Sequence, residues 1–449
     1  MSLAPTTVAP EALSYSGWRG KLALLRSPQV RNGLLGGSVI MLAGSAIVSI
    51  VNFGYNVFTA HLLGPVEFGH ASVAVTLLML ASAITLSFQL VCAKFVARQE
   101  ALPAKLAVIH KLRGRAWGLS ASIALVMVLF SGPITRYLQL PTAWIVNLLA
   151  VAILFYVPLG VRRGAFQGMC DFPRLAGNLV TENMIRFLAA VLLVALLLAR
   201  GVEVAMLGAV AAITVSALAA YLFPRLTPAL RLLSGVPAEV DLHAPALEGL
   251  QASVFFIGQV VINNMDIVLV KHFFSPHAAG LYAAVSLIGR VLYVAAWQVV
   301  SAMFPIAAKA KDGEEPRGFL LVPLLLVSAI TGIFIVAAVF FAHPIMGIVF
   351  GSSFHGPEEA LLGWYAVSTG FYALSVVLIT YEMSRKIANT AWVQLIFAGL
   401  VVAGIYTVHS TLLQVVQVQI VVKFLLLIAV AIPFLWNARN RRSALQEAA

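Results

Sequence analysis

Charge is scarce in this sequence. Only 10% of its 449 residues are Asp, Glu, Lys or Arg, against about 25% in a typical soluble domain. Apolar residues make up 61% of the chain, and the mean hydropathy is +0.97. Together these exclude a soluble globular protein, a disordered chain and a nucleic-acid-binding module. Cysteine is almost absent. Cys92 and Cys170 cannot build a disulfide framework, and both read as small apolar fillers near the cytoplasmic side. No cleavable leader is visible. Residues 1–31 hold Glu11, Arg19, Lys21, Arg26 and Arg31 without a compact apolar core, so the first membrane helix is expected to act as an uncleaved insertion signal. Catalytic signatures are also missing: no GxxxxGK[ST] phosphate loop, GxSxG, CxxC, HExxH or paired-carboxylate motif stands out. The expectation is a protein that is not an enzyme, with no catalytic residues, metal or cofactor.

What is there instead is a series of long uncharged runs. A membrane helix needs about 20 mostly apolar residues. The runs 32–66, 68–93, 116–135 and 137–161 predict helices at 34–58, 70–92, 116–134 and 143–161. A fifth helix at 176–198 carries Glu182 and Arg186, and a sixth spans 203–223. Six more are predicted at 250–272, 279–303, 318–340, 360–381, 388–408 and 412–436. The expected fold is an all-α integral membrane protein with about 12 transmembrane helices in two six-helix lobes. The lobes would be 34–223 and 250–436, joined by a proline-bearing cytoplasmic linker at 224–249. Cytoplasmic tails would cover 1–33 and 437–449.

The basic residues set the orientation. With the N-terminus in the cytoplasm, 23 of the 29 Lys and Arg fall in inside segments. Three (Arg136, Arg200 and Lys271) fall outside, and three (Arg186, Arg290 and Lys423) fall within helices. Lys and Arg concentrate on the cytoplasmic side of membrane proteins, so both termini are expected there. The outside loops are short, the longest near 341–359, which leaves no external domain for a catalytic site.

An internal repeat supports the two-lobe reading. At an offset of 211 residues, Asn52, Val57, His61, Pro65 and Gly69 meet Asn263, Val268, His272, Pro276 and Gly280. The shared Pro and Gly punctuate the same external turn. With six helices per repeat, both halves enter from the same side, as in transporters with parallel repeats.

Polar groups within a bilayer are costly and usually face a bundle interior or an aqueous path. Ser38, Ser45, Ser49, Asn52 and Asn56 share one face of the first helix. Tyr282, Ser286, Arg290, Tyr293, Trp297 and Ser301 form a stripe on the eighth, and Tyr365, Ser368, Tyr372 and Ser375 one on the tenth. The alternative for each is bonding between packed helices. The charges carry more information. A central Arg or Lys costs about 2.5–3.5 kcal/mol on insertion scales. Glu182 and Arg186 can pair at i, i+4. Asp266 and Arg290 lie at depths that an extended Arg can bridge. Lys423 has no acidic neighbour in its helix and is expected to await an anionic ligand. Candidate substrate-binding residues are Asn52, Asn56, Arg186, Arg290, Tyr293 and Lys423. Glu182 and Asp266 are candidate coupling groups or ion-pair partners. Seven of nine histidines (His61, His70, His272, His277, His343, His355 and His409) fall near the external side and read as interface residues.

The stretch from Asn52 to Gly69 (NFGYNVFTAHLLGPVEFG) resembles the first hairpin of bacterial polysaccharide flippases. These are the Wzx-type O-antigen and exopolysaccharide transporters of the multidrug/oligosaccharidyl-lipid/polysaccharide exporter superfamily. Arg163–Gly168 (RGAFQG), Asp266–Ser275 (DIVLVKHFFS), Ala279–Tyr282 (AGLY) and Met303–Pro305 (MFP) also fit. The resemblance implies two six-helix lobes, alternating access and export of a polyprenyl-diphosphate-linked oligosaccharide, with basic residues meeting the anionic head. It also implies membrane lipids and polysaccharide polymerase machinery as partners, and no nucleic acid. A cation-coupled multidrug exporter of the same superfamily and a membrane-embedded polysaccharide polymerase remain alternatives. Cationic drugs would favour an acidic cavity, whereas the embedded charges here are net basic.

Overall fold

A computed structural model of the chain describes residues 28–223, 243–307, 320–385 and 390–447. It is helical throughout, with no strand among the described residues. The first apolar stretch, Pro28–Arg98, is one continuous element bent at Gly64, whose φ is +68°. Pro65 explains the bend. Its ring disfavours helical geometry in the preceding residue, and glycine reaches positive φ without steric cost. The two arms are α1 (28–63) and α2 (65–98). There follow α3 (Leu102–Leu129), the short α4 (Ser131–Tyr137), α5 (Trp144–Gly168), α6 (Phe172–Ala199) and α7 (Met206–Leu222). The second half holds α8 (His243–Phe273), α9 (Pro276–Ala307), α10 (Leu321–Phe340), the short α11 (Ala342–Phe350), α12 (Leu361–Arg385), α13 (Thr390–Thr407) and α14 (Leu412–Glu447). Apart from α4 and α11, twelve apolar helices stand among the described residues, ten of them long enough to span and α7 and α13 shorter.

The helices sort into two groups by their contacts. α1–α2, α3, α5, α6 and α7 pack on one another, and so do α8, α9, α10, α12, α13 and α14. The groups meet chiefly where α1 and α2 lie against α8 and α9. Within the first group, α5 approaches α2 along Gly160, Gly164 and Gly168. A Cβ at Gly164 would lie 2.7 Å from the Cys92 Cβ, and one at Gly168 would lie 2.6 Å from the Ala93 carbonyl oxygen. Small residues every fourth position let membrane helices come this close. They account for the glycine spacing in the RGAFQG segment and for the burial of Cys92.

Several boundaries differ from expectation. The third helix starts at Leu102, not 116, so Lys105, Lys111, Arg113 and Arg115 ride on a helix that projects beyond the apolar run. Leu106, Ile109, Leu112 and Ala116 are its buried face, a helical period that the search for uncharged runs passed over. α5 likewise extends seven residues past the predicted 161. Most of the expected linker, 224–242, lies outside the described residues, and its end from His243 is already helical. The expected tails are partly helical too, from Pro28 and up to Glu447, while 1–27 lies outside the described residues.

The repeat is visible in the packing. Gly69 and Gly280, equivalent at the 211-residue offset, cross each other. A Cβ on Gly69 would stand 3.0 Å from Gly280 Cα and 3.3 Å from the Pro276 carbonyl oxygen. A Cβ on Gly280 would fall onto the Pro65 carbonyl oxygen. Residue i of one half thus touches residue j of the other, and j touches i. That reciprocity marks a two-fold relation, here a pseudo-two-fold between the α1–α2 and α8–α9 hairpins.

Candidate functional site

The polar stripes predicted on two helices meet face to face. Tyr282 on α9 packs edge-on against Tyr365 on α12, with ring centroids 6.0 Å apart, and Tyr293 lies 5.6 Å from Tyr372. Gly289 provides the space, because a Cβ there would enter the Tyr365 ring. Most of the α12 stripe is therefore a packed seam rather than a cavity wall. Tyr365, Ser368, Tyr372 and Ser375 are all fully buried. On α9, Tyr293 and Trp297 stay half-exposed.

Asp266 of α8 stands at the centre of this seam. Its Oδ2 accepts hydrogen bonds from the Tyr282 and Tyr365 hydroxyls, each at 2.9 Å. Its Oδ1 lies 3.6 Å from Nη2 of Arg290, so the pair inferred from helix depth forms. Gln419 of α14 donates to the Tyr282 hydroxyl at 2.8 Å, and Lys423 donates to Gln419 Oε1 at 3.1 Å. The Lys423 ammonium also lies 5.9 Å from the centre of the Tyr365 ring. Five residues from four helices therefore connect Lys423 to Asp266 through Gln419 and Tyr282, with Tyr365 alongside. Lys423, expected to await an anionic ligand, is closed off in this arrangement. It is 1% exposed and held by an amide and a ring, although it forms no ion pair among the described residues. Arg290 keeps 15% of its side chain exposed.

The first half has its own buried charge cluster. Glu182 and Arg186 pair on α6 as their i, i+4 spacing predicts. Arg163 was expected in a cytoplasmic segment. The extension of α5 instead buries it, and it pairs with the other oxygen of Glu182. Arg163 Nε also donates to Asn178 Oδ1 at 2.8 Å, and Arg186 reaches the Ser216 hydroxyl at 3.5 Å. One carboxylate between two guanidiniums leaves the cluster net positive. Sequence spacing could not find Arg163, because 19 residues and a helix turn separate it from Glu182.

On α1, Asn56 is buried and donates to the Asn52 carbonyl at 2.7 Å, while Asn52 remains half-exposed. Lys271, assigned outside by sequence, is fully buried at the end of α8. His70, on α2 next to Gly69, is buried as well. Neither the Lys271 ammonium nor His70 Nδ1 has a hydrogen-bond partner among the described residues. The α8–α9 hairpin rests on the end of α4 and the turn after it: Gln139 donates to the His272 carbonyl at 2.8 Å, and the Tyr137 and His272 rings stack.

Two groups of membrane-length helices, joined through hairpins related by a pseudo-two-fold and each holding a buried basic cluster, describe a membrane transporter fold. Solved structures share it. A multidrug resistance MATE family transporter of the MOP superfamily, in its inward-facing conformation, superposes with a TM-score of 0.69 at 16% identity, covering 92% of this chain and 99% of that one. The lipid II flippase MurJ, inward closed, gives 0.67 at 10% identity over 88% and 87%. An outward-facing MATE family transporter gives 0.58 at 16% identity over 93% and 97%. No protein of curated function matches the sequence. A family model described as polysaccharide biosynthesis protein matches residues 34–311, and the chain belongs to that family.

Proposed function

We propose that this protein is a Wzx-type flippase that moves a polyprenyl-diphosphate-linked oligosaccharide across the bacterial inner membrane by alternating access. The observation that carries the reading is the pair of buried, net-basic clusters inside a polysaccharide-biosynthesis family member. A diphosphate suits Arg and Lys, which hold it through charge-assisted hydrogen bonds. Arg290 is the leading contact, since its side chain is more exposed than those of Arg163 and Arg186 and its carboxylate partner stands at 3.6 Å. Lys423 would join it once the Gln419 bond opens. Arg186 would do so only if the Glu182 pair loosens. The sugars would run along the half-exposed polar groups of α1 and α9, Asn52 and Tyr293, with Asn56 behind them. Glu182 and Asp266 would exchange partners as the halves move. The lobes would be 34–223 and 250–436, with both termini cytoplasmic and polymerase machinery receiving the product outside.

Lys423→Gln tests the site. The amide keeps a hydrogen bond to Gln419 but loses the charge. Lipid-linked glycan should accumulate on the inner leaflet while membrane abundance stays within about twofold. Normal export with normal abundance would remove Lys423 from the path.

Cys170 tests the orientation. It is exposed, in the turn after α5, whereas Cys92 is buried and will not react from either side. A membrane-impermeant maleimide should label Cys170 in inverted vesicles and not in intact cells. Labelling in intact cells would reverse the topology.

A further inference from the structure

The segment between α10 and α12 carries a cluster that the transport reading does not use. His343 on α11, His355 after the 3-10 turn Ser352–Phe354, and Glu359 in the turn Pro357–Ala360 converge. Their potential ligand atoms all lie within 4.8 Å of one another. His343 Nδ1 sits 3.0 Å from Glu359 Oε2, and His355 Nδ1 is bonded to the other oxygen. The two imidazoles stack with centroids 4.1 Å apart. The arrangement is fixed from below. The backbone N–H of Gly356 donates to Glu359 Oε1 at 3.2 Å, and the His355 ring rests over Gly347, where a Cβ would lie 3.0 Å from its edge.

We infer that His343, His355 and Glu359 form a binding site for a divalent transition-metal ion of the zinc class, on the same end of the molecule as the Gly69–Gly280 crossing. Two imidazoles and one carboxylate are the donor set of three-ligand zinc sites, whose fourth position takes water. Bonds of about 2.0–2.1 Å place tetrahedral ligand atoms about 3.3 Å apart. The observed 3.0 Å is close to that, and His343, with 73% of its side chain exposed, is free to adjust. The exposed side of His343 leaves room for the water. On binding through Nδ1, each ring carries its proton on Nε2 instead, as neutral imidazole does. The carboxylate bonds now made by the two rings pass to the ion.

The site bears on the contact between the halves. Phe350 and Phe354, which lie between His343 and His355 in sequence, are both 1% exposed and clamp Phe68 of α2 at 6.0 and 5.8 Å. Gly351 lies against the His61 ring of α1, and Gly356 against Leu281 of α9. The segment 342–360 therefore covers the place where the hairpins cross. An ion joining α11 to the start of α12 would fasten that cover and favour the closed arrangement of this end.

The test uses the purified full chain, stripped of metal and titrated with ZnCl2. One ion should bind per chain with saturation, and His355→Ala, Glu359→Gln and the exposed His343→Ala should each weaken it at least tenfold. His277→Ala, an exposed histidine at the same end, should leave it unchanged. Co2+ should give a tetrahedral visible spectrum that the same three substitutions abolish. Zn2+ should also slow hydrogen exchange across 342–360 severalfold. Absence of saturable binding, or binding that His343→Ala and His355→Ala both leave intact, would overturn the site. Unchanged exchange with the ion bound would overturn the fastening role.

Discussion

Asp266→Ala should cost this protein most of its membrane abundance, and Arg290→Ala in the same chain should restore much of it. The single change removes the acceptor of two buried tyrosine hydroxyls and strands a guanidinium. Hydrogen bonds to a charged group contribute about 1.5–3 kcal/mol each, and breaking a buried ion pair by deleting one partner costs about 3–5 kcal/mol. A loss of that size is comparable with the whole stability of many folds. Removing both charges leaves two tyrosine hydroxyls without their acceptor, a smaller deficit than a stranded guanidinium beside them. Export should not return with abundance if Arg290 meets the diphosphate when the pair opens. The measurement is a double-mutant cycle read on abundance and export together. Additive losses of abundance would show that the two residues do not couple. Recovery of export along with abundance would make the pair purely structural and take Arg290 out of the site.

Gly280→Ala should hold the α1–α2 and α8–α9 ends apart, and Gly69→Ala should do so less. The added methyl at 280 meets a backbone carbonyl of Pro65, which cannot rotate away as a side chain would, whereas the one at 69 stands at 3.0 Å from its nearest neighbours. Overpacking costs about 1–3 kcal/mol. Applied to one of two transport states, that shifts their ratio about 5- to 150-fold. A cysteine at His70, buried beside Gly69, reports the shift in a background lacking Cys92 and Cys170. Its reaction with a small maleimide should rise by at least fivefold in Gly280→Ala and by less in Gly69→Ala. Export should fall in the same order. Equal reactivity in all three proteins would mean that the glycine crossing does not limit closure.

Much of this molecule is written in its sequence, for reasons that act along one helix at a time. Long apolar runs, four of them uncharged, mark the twelve apolar helices found among the described residues, because an unpaired backbone polar group in lipid is too costly to leave exposed. Gly64–Pro65 announces the bend through the steric rule for residues before proline. Spacing of i, i+4 joins Glu182 to Arg186, and depth along two antiparallel neighbours joins Asp266 to Arg290. The 211-residue repeat is legible too, since equivalent turns need the same Pro and Gly.

What the tertiary structure decided is whatever depends on how one helix is rotated and shifted against another. The α9 and α12 stripes look alike whether they line a path or close on each other, and only the register Tyr282–Tyr365 and Tyr293–Tyr372 shows that they close. Lys423 has no partner in its own sequence neighbourhood except an amide one turn away. The tyrosine seam from α9 and α12 made that amide part of a network. Arg163 is buried because a basic residue can extend an apolar helix when a buried carboxylate on the next helix meets it. His343 joined His355 and Glu359 through two short turns that carry no hydrophobic period. Hydropathy reports which segments enter the membrane. Contacts between segments arise from side-chain packing across helices, which no single segment encodes.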